Sequence, residues 1–231
     1  MARSPTLLIT GASSGIGAAT AQAAVAAGWR VALAARSRPG LDALVSALGA
    51  DKAAAFTLDV TDYAAQEATV AQVVETFGGI DAVFANAGTG GVPGGFSGAP
   101  VDSWRRIVDV NILGVAYTLR AALPAVRAAH GHVLITGSVA GRRVLAGSMY
   151  AVSKAAVAAL AGNLREELRG TGVRVTLIEP GITDTPFFDT PKPDGLRAAD
   201  IARAAIYALA QPPGVDVHDI LVLPTPPREA R

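Results

Sequence analysis

The sequence predicts an α/β protein with a doubly wound parallel sheet, and three observations support this. Short apolar runs alternate along the chain with longer, alanine-rich segments of helical character. A glycine-rich turn follows the first apolar run, and no linker divides the chain. Parallel strands this apolar are covered on both faces by helices. We therefore predict a single domain over residues 1–231, with a sheet of about seven strands between two helical layers.

The predicted strands are short apolar segments, each separated from the next by enough chain for a crossover helix. They cover residues 6–10, 30–35, 53–58, 81–85, 132–136, 173–178 and 217–223. The helices occupy the intervening segments, and the first has small residues on its packing face. They cover residues 15–27, 39–48, about 61–77, about 101–129, about 148–169 and about 199–210. Right-handed crossovers bring two βαβ halves together at a switch point, where ligands bind at the carboxyl ends of the strands.

The composition excludes several classes of function. The net charge of +1 removes the broad attraction on which nucleic-acid binders depend. Without cysteine there is no disulfide, no cysteine-ligated metal and no thiol nucleophile, and the three histidines lack metal-motif spacing. No uninterrupted apolar run reaches the roughly 18 residues of a membrane span, and no signal peptide opens the chain. We expect a cytoplasmic protein without metal, nucleic-acid or membrane partners.

The segment from Thr10 to Gly17, between the first strand and the first helix, predicts a Rossmann-type phosphate cradle. Glycines allow a tight turn and close backbone approach, and the helix N-terminus presents free N–H groups to a pyrophosphate. The candidate cofactor contacts in this segment are Gly11, Ser13, Ser14, Gly15, Ile16 and Gly17. Taken alone, the pattern also fits an ordinary glycine-rich turn.

The ends of the second and third strands predict which dinucleotide is bound. An acidic residue after the second strand would bind the ribose 2′-hydroxyl of NAD. Here Arg36 offers a forked guanidinium to a 2′-phosphate, and Ser13 or Ser14 could add a hydroxyl donor. Asp59, followed by Val60, could accept from the adenine amino group or instead cap the next helix. NADP(H) is therefore the predicted cofactor.

Tyr150 and Lys154 lie one turn apart on the same face of a predicted helix. A phenol with a pKa of about 10 is a poor base at neutral pH, and a neighbouring cation favours the phenolate. We therefore expect a lowered Tyr150 pKa. Ser138 follows the fifth strand, where its hydroxyl could hold a substrate oxygen, although on its own it fits a turn serine equally well.

These residues together resemble the short-chain dehydrogenase/reductase family over essentially the whole chain. The resemblance is carried by the segment Thr10–Gly17, by Asn86-Ala87-Gly88, Asn111, Ser138, Tyr150 with Lys154, and Pro180-Gly181, in the family's order. It implies that Tyr150 is the general acid/base and that Ser138 orients the substrate and stabilises its developing charge. It also implies that Lys154 lowers the tyrosine pKa and bonds the nicotinamide ribose.

The resemblance implies roles for four further positions. Asn111 matches an asparagine that holds a water linking Lys154 to solvent; otherwise it fits a packing role inside a helix. Asn86 lies in the turn beneath the cofactor and steadies the centre of the sheet. Ile182 and Thr185, after Pro180-Gly181, resemble the residues that bond the nicotinamide carboxamide.

The substrate loop, about residues 186–198, is shorter than in many family members and contains three prolines. The site is therefore expected to be open or to borrow cover from a neighbouring subunit. Expected substrate contacts lie at residues 90–96, 139–145 and 187–188. Arg142 and Arg143 could bind a substrate carboxylate, or could instead cover a helix end or an interface.

The C-terminal half is similar to one branch of the family. Residues 179–186 and 217–225 resemble the branch of clavulanate dehydrogenase and the NADP-dependent 3-hydroxy-acid and serine dehydrogenases. This similarity implies NADP and a small polar or aldehyde-bearing substrate. The alanine-rich segment 155–161 permits close helix packing and, with the resemblance, implies a homodimer or homotetramer.

The predicted function is NADP(H)-dependent hydride transfer between the nicotinamide and a carbonyl or alcohol substrate. Two other functions also fit these residues. One is a regulator that senses NADPH without chemistry, and the other is an epimerase or dehydratase that retains its cofactor. All four expected catalytic positions, Asn111, Ser138, Tyr150 and Lys154, are filled, which favours the oxidoreductase.

Overall fold

Seven parallel strands form the central sheet of the computed structural model, which describes residues 3–225. All strands of the described chain, in sequence order, are β1 (Thr6–Thr10), β2 (Arg30–Ala35), β3 (Ala53–Thr57), β4 (Ala82–Ala85), β5 (His132–Thr136), β6 (Arg174–Pro180), β7 (Thr183–Asp184), β8 (Leu196–Arg197) and β9 (Asp219–Val222). The main sheet has the order β3-β2-β1-β4-β5-β6-β9, and β7 pairs separately with β8. The predicted fold class is confirmed, although the predicted domain, residues 1–231, includes both ends outside the described range.

Helices connect successive strands on both faces of the sheet. They are α1 (Gly15–Ala26), α2 (Arg38–Leu48), α3 (Tyr63–Phe77), α4 (Gly95–Gly98), α5 (Val101–Val108), α6 (Gly114–Ala128), α7 (Met149–Glu167) and α8 (Ala198–Leu209). The bounds of the seven predicted strands and six predicted helices lie within two residues of those observed, apart from one interruption inside the fourth helix. The interruption is a π-helical turn, Asp109–Leu113, between α5 and α6.

Polar side chains fix where three of these helices begin. Ser37 accepts a hydrogen bond from Gly40 N at the start of α2, and Asp62 accepts one from Ala65 N at the start of α3. Ser148 does the same for α7 by accepting from Ala151 N at 3.1 Å. Each cap satisfies a backbone donor that would otherwise lack a partner, and so sets the helix register.

Alternate strand residues supply the two halves of the core. Leu8, Val83 and Val133 are buried on the face covered by α3, α6 and α7. Leu7 and Phe84 are buried on the opposite face, which is covered by α1, α2 and α8. Burial on both faces accounts for the continuous apolar character of the strands.

The helical stretch Val101–Ala128 is long and apolar enough to cross a membrane by length and composition alone, and it is the one such helix in residues 3–225. Charged residues interrupt this stretch, so it contains no uninterrupted apolar run from which a span could be predicted. In the structure 39 % of its most apolar window is buried. Val115, Leu119, Ala122 and Val126 lie in the core between this stretch and the sheet.

Candidate active site

The turn between β1 and α1 requires glycine because neighbouring backbone approaches it closely. Gly11 has a φ of 67°, and a Cβ there would lie 2.8 Å from the Cα of Ala87. A Cβ on Gly17 would collide with the carbonyl oxygen of Gly11 and lie 2.9 Å from Asn86 Nδ2. The turn therefore leaves α1 starting at the carboxyl edge of the sheet, with its first N–H groups available to an anion.

The segment after β6 lies across the switch point from this glycine turn. Gly15 has a φ of 53°, and a Cβ on it would be 3.3 Å from the side chain of Thr185. Gly181 N donates to Val222 O at 2.7 Å, which ties the start of the segment to β9. Ile182 is 55 % exposed. The predicted cofactor residues on β1–α1 and on 180–185 thus form two facing walls.

Asn86 connects the carboxyl ends of three neighbouring strands. Its Nδ2 donates to Thr10 O at 3.0 Å, and its Oδ1 accepts from Thr136 Oγ1 at 3.0 Å. Thr10 Oγ1 in turn accepts from Asn86 N at 3.0 Å and Ala87 N at 3.2 Å. This network holds β1, β4 and β5 together beneath the predicted cofactor position.

Arg36 and Asp59, which are predicted to bind the adenosine end of the cofactor, line a surface groove of about 310 Å³. The groove is lined by Arg36, Asp59, Thr61, Asp102, Arg105, Arg106, Asp109 and Val110. Asp59 accepts from Thr61 N at 3.0 Å and Thr61 Oγ1 at 2.8 Å. The backbone hydrogen bond from Thr61 is the main reason that the pKa of Asp59 is lowered. The capping alternative for Asp59 is wrong, because Asp62 caps α3.

Two other predicted contacts differ in what they expose. Val60 is 8 % exposed and its side chain belongs to the core, so only its backbone remains for a cofactor contact. Ser13 lies against α2, since a Cβ on Gly40 would be 3.1 Å from the Ser13 Cβ. Ser14 is exposed directly before α1 and, within the described chain, makes no side-chain capping bond. Neither serine is among the residues that line the groove at Arg36.

Ser138, Tyr150 and Lys154 come together beyond the carboxyl end of β5. Ser138, 9 % exposed, starts the 3₁₀ turn Val139–Arg142 and accepts from Ala140 N at 3.1 Å. Tyr150, in the first turn of α7, is close enough to Ser138 for the Ser138 hydroxyl to act on the Tyr150 pKa. Lys154 lies one turn later and is 4 % exposed. Its Nζ donates to Thr136 O at 2.8 Å and is 5.9 Å from the Tyr150 ring centroid.

Burial dominates the ionisation of this pair. It raises the pKa of Tyr150, while the nearby Ser138 hydroxyl acts in the opposite direction. Burial also lowers the pKa of Lys154 to about 8. The expected lowering of the Tyr150 pKa is therefore wrong for this structure. The ammonium of Lys154 is directed to the Thr136 carbonyl and does not offset the loss of solvation around the phenol.

Asn111 lies in the π-helical turn and is fully buried. Its Oδ1 accepts from Thr89 N at 2.8 Å, and its Nδ2 donates to Thr89 O and Ser153 Oγ, both at 3.0 Å. A Cβ on Gly88 would lie 3.4 Å from Asn111 Oδ1 and 3.8 Å from Lys154 Nζ, so both side chains approach the same glycine. Both protons on Asn111 Nδ2 are engaged by protein. A water that bridges Asn111 and Lys154 must therefore bind an oxygen atom of Asn111.

Ser153 and Thr136 are site residues that the sequence analysis missed. Ser153 Oγ donates to Tyr150 O at 2.7 Å and accepts from Asn111, while Thr136 supplies the carbonyl for Lys154. A serine between the tyrosine and the lysine of an alanine-rich helix is a signal that could have identified Ser153. No sequence signal distinguishes the carbonyl of Thr136 from its neighbours.

The loop between β7 and β8 covers one side of Tyr150. Phe187 lies 5.8 Å from Tyr150 between ring centroids, and a Cβ on Gly90 would be 3.3 Å from the Phe187 ring. The loop is anchored where β7 pairs with β8, and Lys192 N donates to Asp184 Oδ1 at 2.8 Å. Of the expected substrate segments, Phe187 and Gly91 therefore reach Tyr150, while Phe188 and Gly90 contact Phe187. Within the described part of the chain, no cluster of three or more potential ligands could hold a metal ion.

Comparison with known proteins gives consistent results. A family model described as short chain dehydrogenase matches residues 5–194. An uncharacterized oxidoreductase of Staphylococcus haemolyticus (strain JCSC1435) is 39 % identical over 222 residues, which cover 94 % of this chain and 96 % of that protein.

Two solved structures superpose over nearly the whole chain. The alcohol dehydrogenase of the archaeon Thermococcus sibiricus, complexed with 5-hydroxy-NADP, has a TM-score of 0.90 and 30 % identity, covering 98 % of this chain and 99 % of that one. The serine dehydrogenase of Escherichia coli has a TM-score of 0.87 and 31 % identity, covering 95 % and 97 % respectively. The second is a member of the branch that the C-terminal half resembles.

Proposed function

The chain belongs to the short-chain dehydrogenase/reductase family, and from this premise we propose that it is an NADP(H)-dependent oxidoreductase acting on a carbonyl or alcohol substrate. One observation carries the proposal. Ser138, Tyr150 and Lys154 lie together at the same edge of the sheet as the glycine turn that starts α1, whose first N–H groups can receive a pyrophosphate. A site with this content can both bind the cofactor and move a proton at the reacting oxygen.

The residues present fit a nicotinamide dinucleotide. The close approach of Gly11 and Gly17 to neighbouring backbone leaves the N-terminus of α1 open to a pyrophosphate. Arg36 is exposed at the groove where a 2′-phosphate would lie, and this supports NADP over NAD. The Thermococcus sibiricus neighbour is complexed with an NADP derivative, which points the same way. When bound, the nicotinamide supplies or accepts the hydride.

The protein would supply the proton that accompanies the hydride. In reduction, the Tyr150 hydroxyl donates its proton to the carbonyl oxygen, and the Ser138 hydroxyl orients that oxygen. The raised pKa of Tyr150 keeps the phenol protonated and ready to donate at neutral pH. Lys154, whose pKa is about 8, can then return a proton to the phenolate. In oxidation the same groups act in reverse.

The short loop between β7 and β8 supports a small substrate. Phe187 covers Tyr150 from one side. Gly90 lies against the Phe187 ring and Gly91 lies against Tyr150, so the space around the phenol is narrow. We propose a small polar or aldehyde-bearing substrate, in keeping with the serine dehydrogenase neighbour. We also propose a homodimer or homotetramer, because the small side chains of the alanine-rich segment 155–161 in α7 permit close packing against a second helix.

The test is a panel of aldehydes, ketones and hydroxy acids assayed by NADPH absorbance, followed by Tyr150→Phe on the best substrate. The variant is expected to bind NADPH normally and to lose nearly all turnover, because it lacks the transferable proton. Tyr207→Phe, at an exposed tyrosine of α8, is the matched control and should keep full activity. Substantial turnover by Tyr150→Phe would overturn the mechanism. Bound cofactor that is never consumed would favour a sensor or an epimerase.

A further inference from the structure

Glu179 is a buried carboxylate beside the candidate active site. It lies near the end of β6, one residue before Pro180, and is 1 % exposed. A carboxylate removed from water to this extent needs a charged or hydrogen-bonding partner. Arg142 provides it: Nε donates to Glu179 Oε2 at 2.6 Å, and Nη2 contacts the same oxygen.

The Glu179 side chain contacts both ends of the loop that carries Ser138. On the entering side, a Cβ on Gly137 would lie 2.9 Å from Glu179 Cγ, and Gly137 N donates to Ile178 O at 2.7 Å. On the leaving side, Arg142 is the last residue of the 3₁₀ turn that begins after Ser138. Gly137, which precedes Ser138, and Arg142, which follows it, therefore both contact the Glu179 side chain.

The same turn lies directly on α7 beside the lysine. A Cβ on Gly141 would be 2.7 Å from the backbone carbonyl carbon of Lys154, so the two backbones touch without an intervening side chain. A sliding or lifting of the turn at Arg142 would therefore change the distance between Ser138 and the first turns of α7. Tyr150 lies in the first of those turns.

A second ion pair holds Arg142 from the far side. Asp219 on β9 lies with Oδ2 3.7 Å from Arg142 Nη2, and its Oδ1 accepts from Arg165 Nη2 at 2.7 Å. Arg165 belongs to α7 and also donates to Val175 O at 3.0 Å. Through these contacts Arg142 is fixed relative to β6, β9 and α7 together.

We propose that Arg142 and Glu179 form a positioning pair, which holds the Ser138 turn against β6 so that the Ser138 hydroxyl faces Tyr150. The inference rests on the proposed function for its kinetic consequence. In this arrangement Arg142 binds the carboxylate of Glu179, whereas one prediction from the sequence was that it binds a substrate carboxylate. A displacement of about 1 Å at a reacting group can cost on the order of a hundredfold in rate.

The kinetic test is a double-mutant cycle of Arg142→Ala and Ser138→Ala. Arg142→Ala alone is expected to lower kcat roughly tenfold or more, with little change in the NADPH dissociation constant. In the Ser138→Ala background, measured by single turnover, the same substitution should cost almost nothing, because the residue that it positions is gone. Arg142→Lys should recover part of the rate, and Arg169→Ala, which removes an exposed ion pair with Glu166, is the matched control.

A spectroscopic test is independent of turnover. The Ser138 hydroxyl opposes the rise in the Tyr150 pKa, so displacement of Ser138 in Arg142→Ala should move the Tyr150 titration to higher pH. The titration is isolated by subtracting the ultraviolet difference spectrum of Tyr150→Phe. Glu179→Gln, which keeps the side-chain shape, should shift it in the same direction.

Two results would overturn the positioning pair. One is an Arg142→Ala effect on kcat of equal size with and without Ser138. The other is an unmoved Tyr150 titration in folded Arg142→Ala and Glu179→Gln. A wild-type enzyme that reduces no carbonyl would instead overturn the proposed function. In that case the Tyr150 titration alone decides whether the pair positions Ser138.

Discussion

Lys154 is the residue whose ionisation should shape the pH dependence of activity. Its pKa is lowered to about 8 by burial, so the ammonium is lost as pH rises through that value. In reduction the lysine must return a proton to Tyr150, which only the ammonium can do. We predict that kcat/KM for carbonyl reduction falls above about pH 8, measured from initial rates between about pH 6 and about pH 10. A flat profile would contradict this, provided that samples returned to neutral pH regain their rate.

Arg36 is the residue predicted to choose between the two cofactors. It is exposed at the groove, and its guanidinium can pair with a 2′-phosphate. We predict that Arg36→Asp reduces the preference for NADPH over NADH by roughly tenfold or more, since the carboxylate repels the phosphate and accepts from a 2′-hydroxyl. The measurement is kcat/KM with each cofactor.

Arg38 provides the matched control for this change. It is also exposed, two residues later, but is paired with Asp42 at 2.8 Å. Arg38→Gln should leave the cofactor preference unchanged. If Arg36→Asp also leaves it unchanged, Arg36 has no part in cofactor selection.

At the residue scale, the sequence predicts which side chains come together better than it predicts their ionisation. Ser138, Tyr150 and Lys154 were found from helical spacing and strand ends, and the structure brings them together. The direction of the Tyr150 pKa shift was wrong, because spacing shows which charges are near but not how deeply they are buried. The partner of Lys154 is a backbone carbonyl on another strand, which only tertiary structure reveals.

At the scale of elements, the order of apolar and polar residues predicts the long helices and strands but not the places where a helix is interrupted. Residues 101–129 have the pattern of one helix, but a π-helical turn forms at Asp109–Leu113. The turn places Asn111 where it binds Thr89 and Ser153, which are distant in sequence. The two-residue strands β7 and β8 are too short to produce a periodic pattern.

Asn86 is the link between elements at the carboxyl edge of the sheet. Replacing it with alanine leaves Thr10 O and Thr136 Oγ1 without the partners that join β1, β4 and β5. We predict that Asn86→Ala lowers the free energy of unfolding by roughly 1–3 kcal/mol, measured by urea denaturation. Asn163→Ala, at an exposed site on α7, should stay within about 0.5 kcal/mol of the parent. Equal effects would show that the Asn86 network contributes nothing specific.

At the scale of the whole molecule, strand order decides where the site forms. The adjacency of β1 and β4 places the glycine turn next to the Asn86 turn, and β5 then adds Ser138 at the same edge. Alternation of strands and helices in the sequence predicts the parallel sheet and its switch point. The close fit between the 180–185 segment and Gly15 depends on backbone distances that the sequence does not encode locally.

The opposite end of the sheet contains a histidine that should govern acid stability. His132 starts β5, is 1 % exposed, and has Nε2 2.8 Å from Thr176 Oγ1. The Thr176 hydroxyl donates to Val217 O at 2.6 Å, so Nε2 carries the histidine proton. Nδ1 is buried and finds no hydrogen-bond partner within residues 3–225. Protonation at Nδ1 would therefore place an unpaired charge in the core.

Burial, with a smaller effect from Arg174, lowers the pKa of His132 from 6.5 to about 3. Because the unfolded chain binds this proton more readily, stability is complete above about pH 6.5 and falls towards pH 3, by about 5 kcal/mol in all. We predict that His132→Gln flattens this loss between about pH 6.5 and about pH 4, measured by urea denaturation at each pH. His218→Gln, at a histidine whose side chain is 61 % exposed, should keep the parent's slope. A parent whose stability does not change over this range would show that His132 is not the acid-sensitive group.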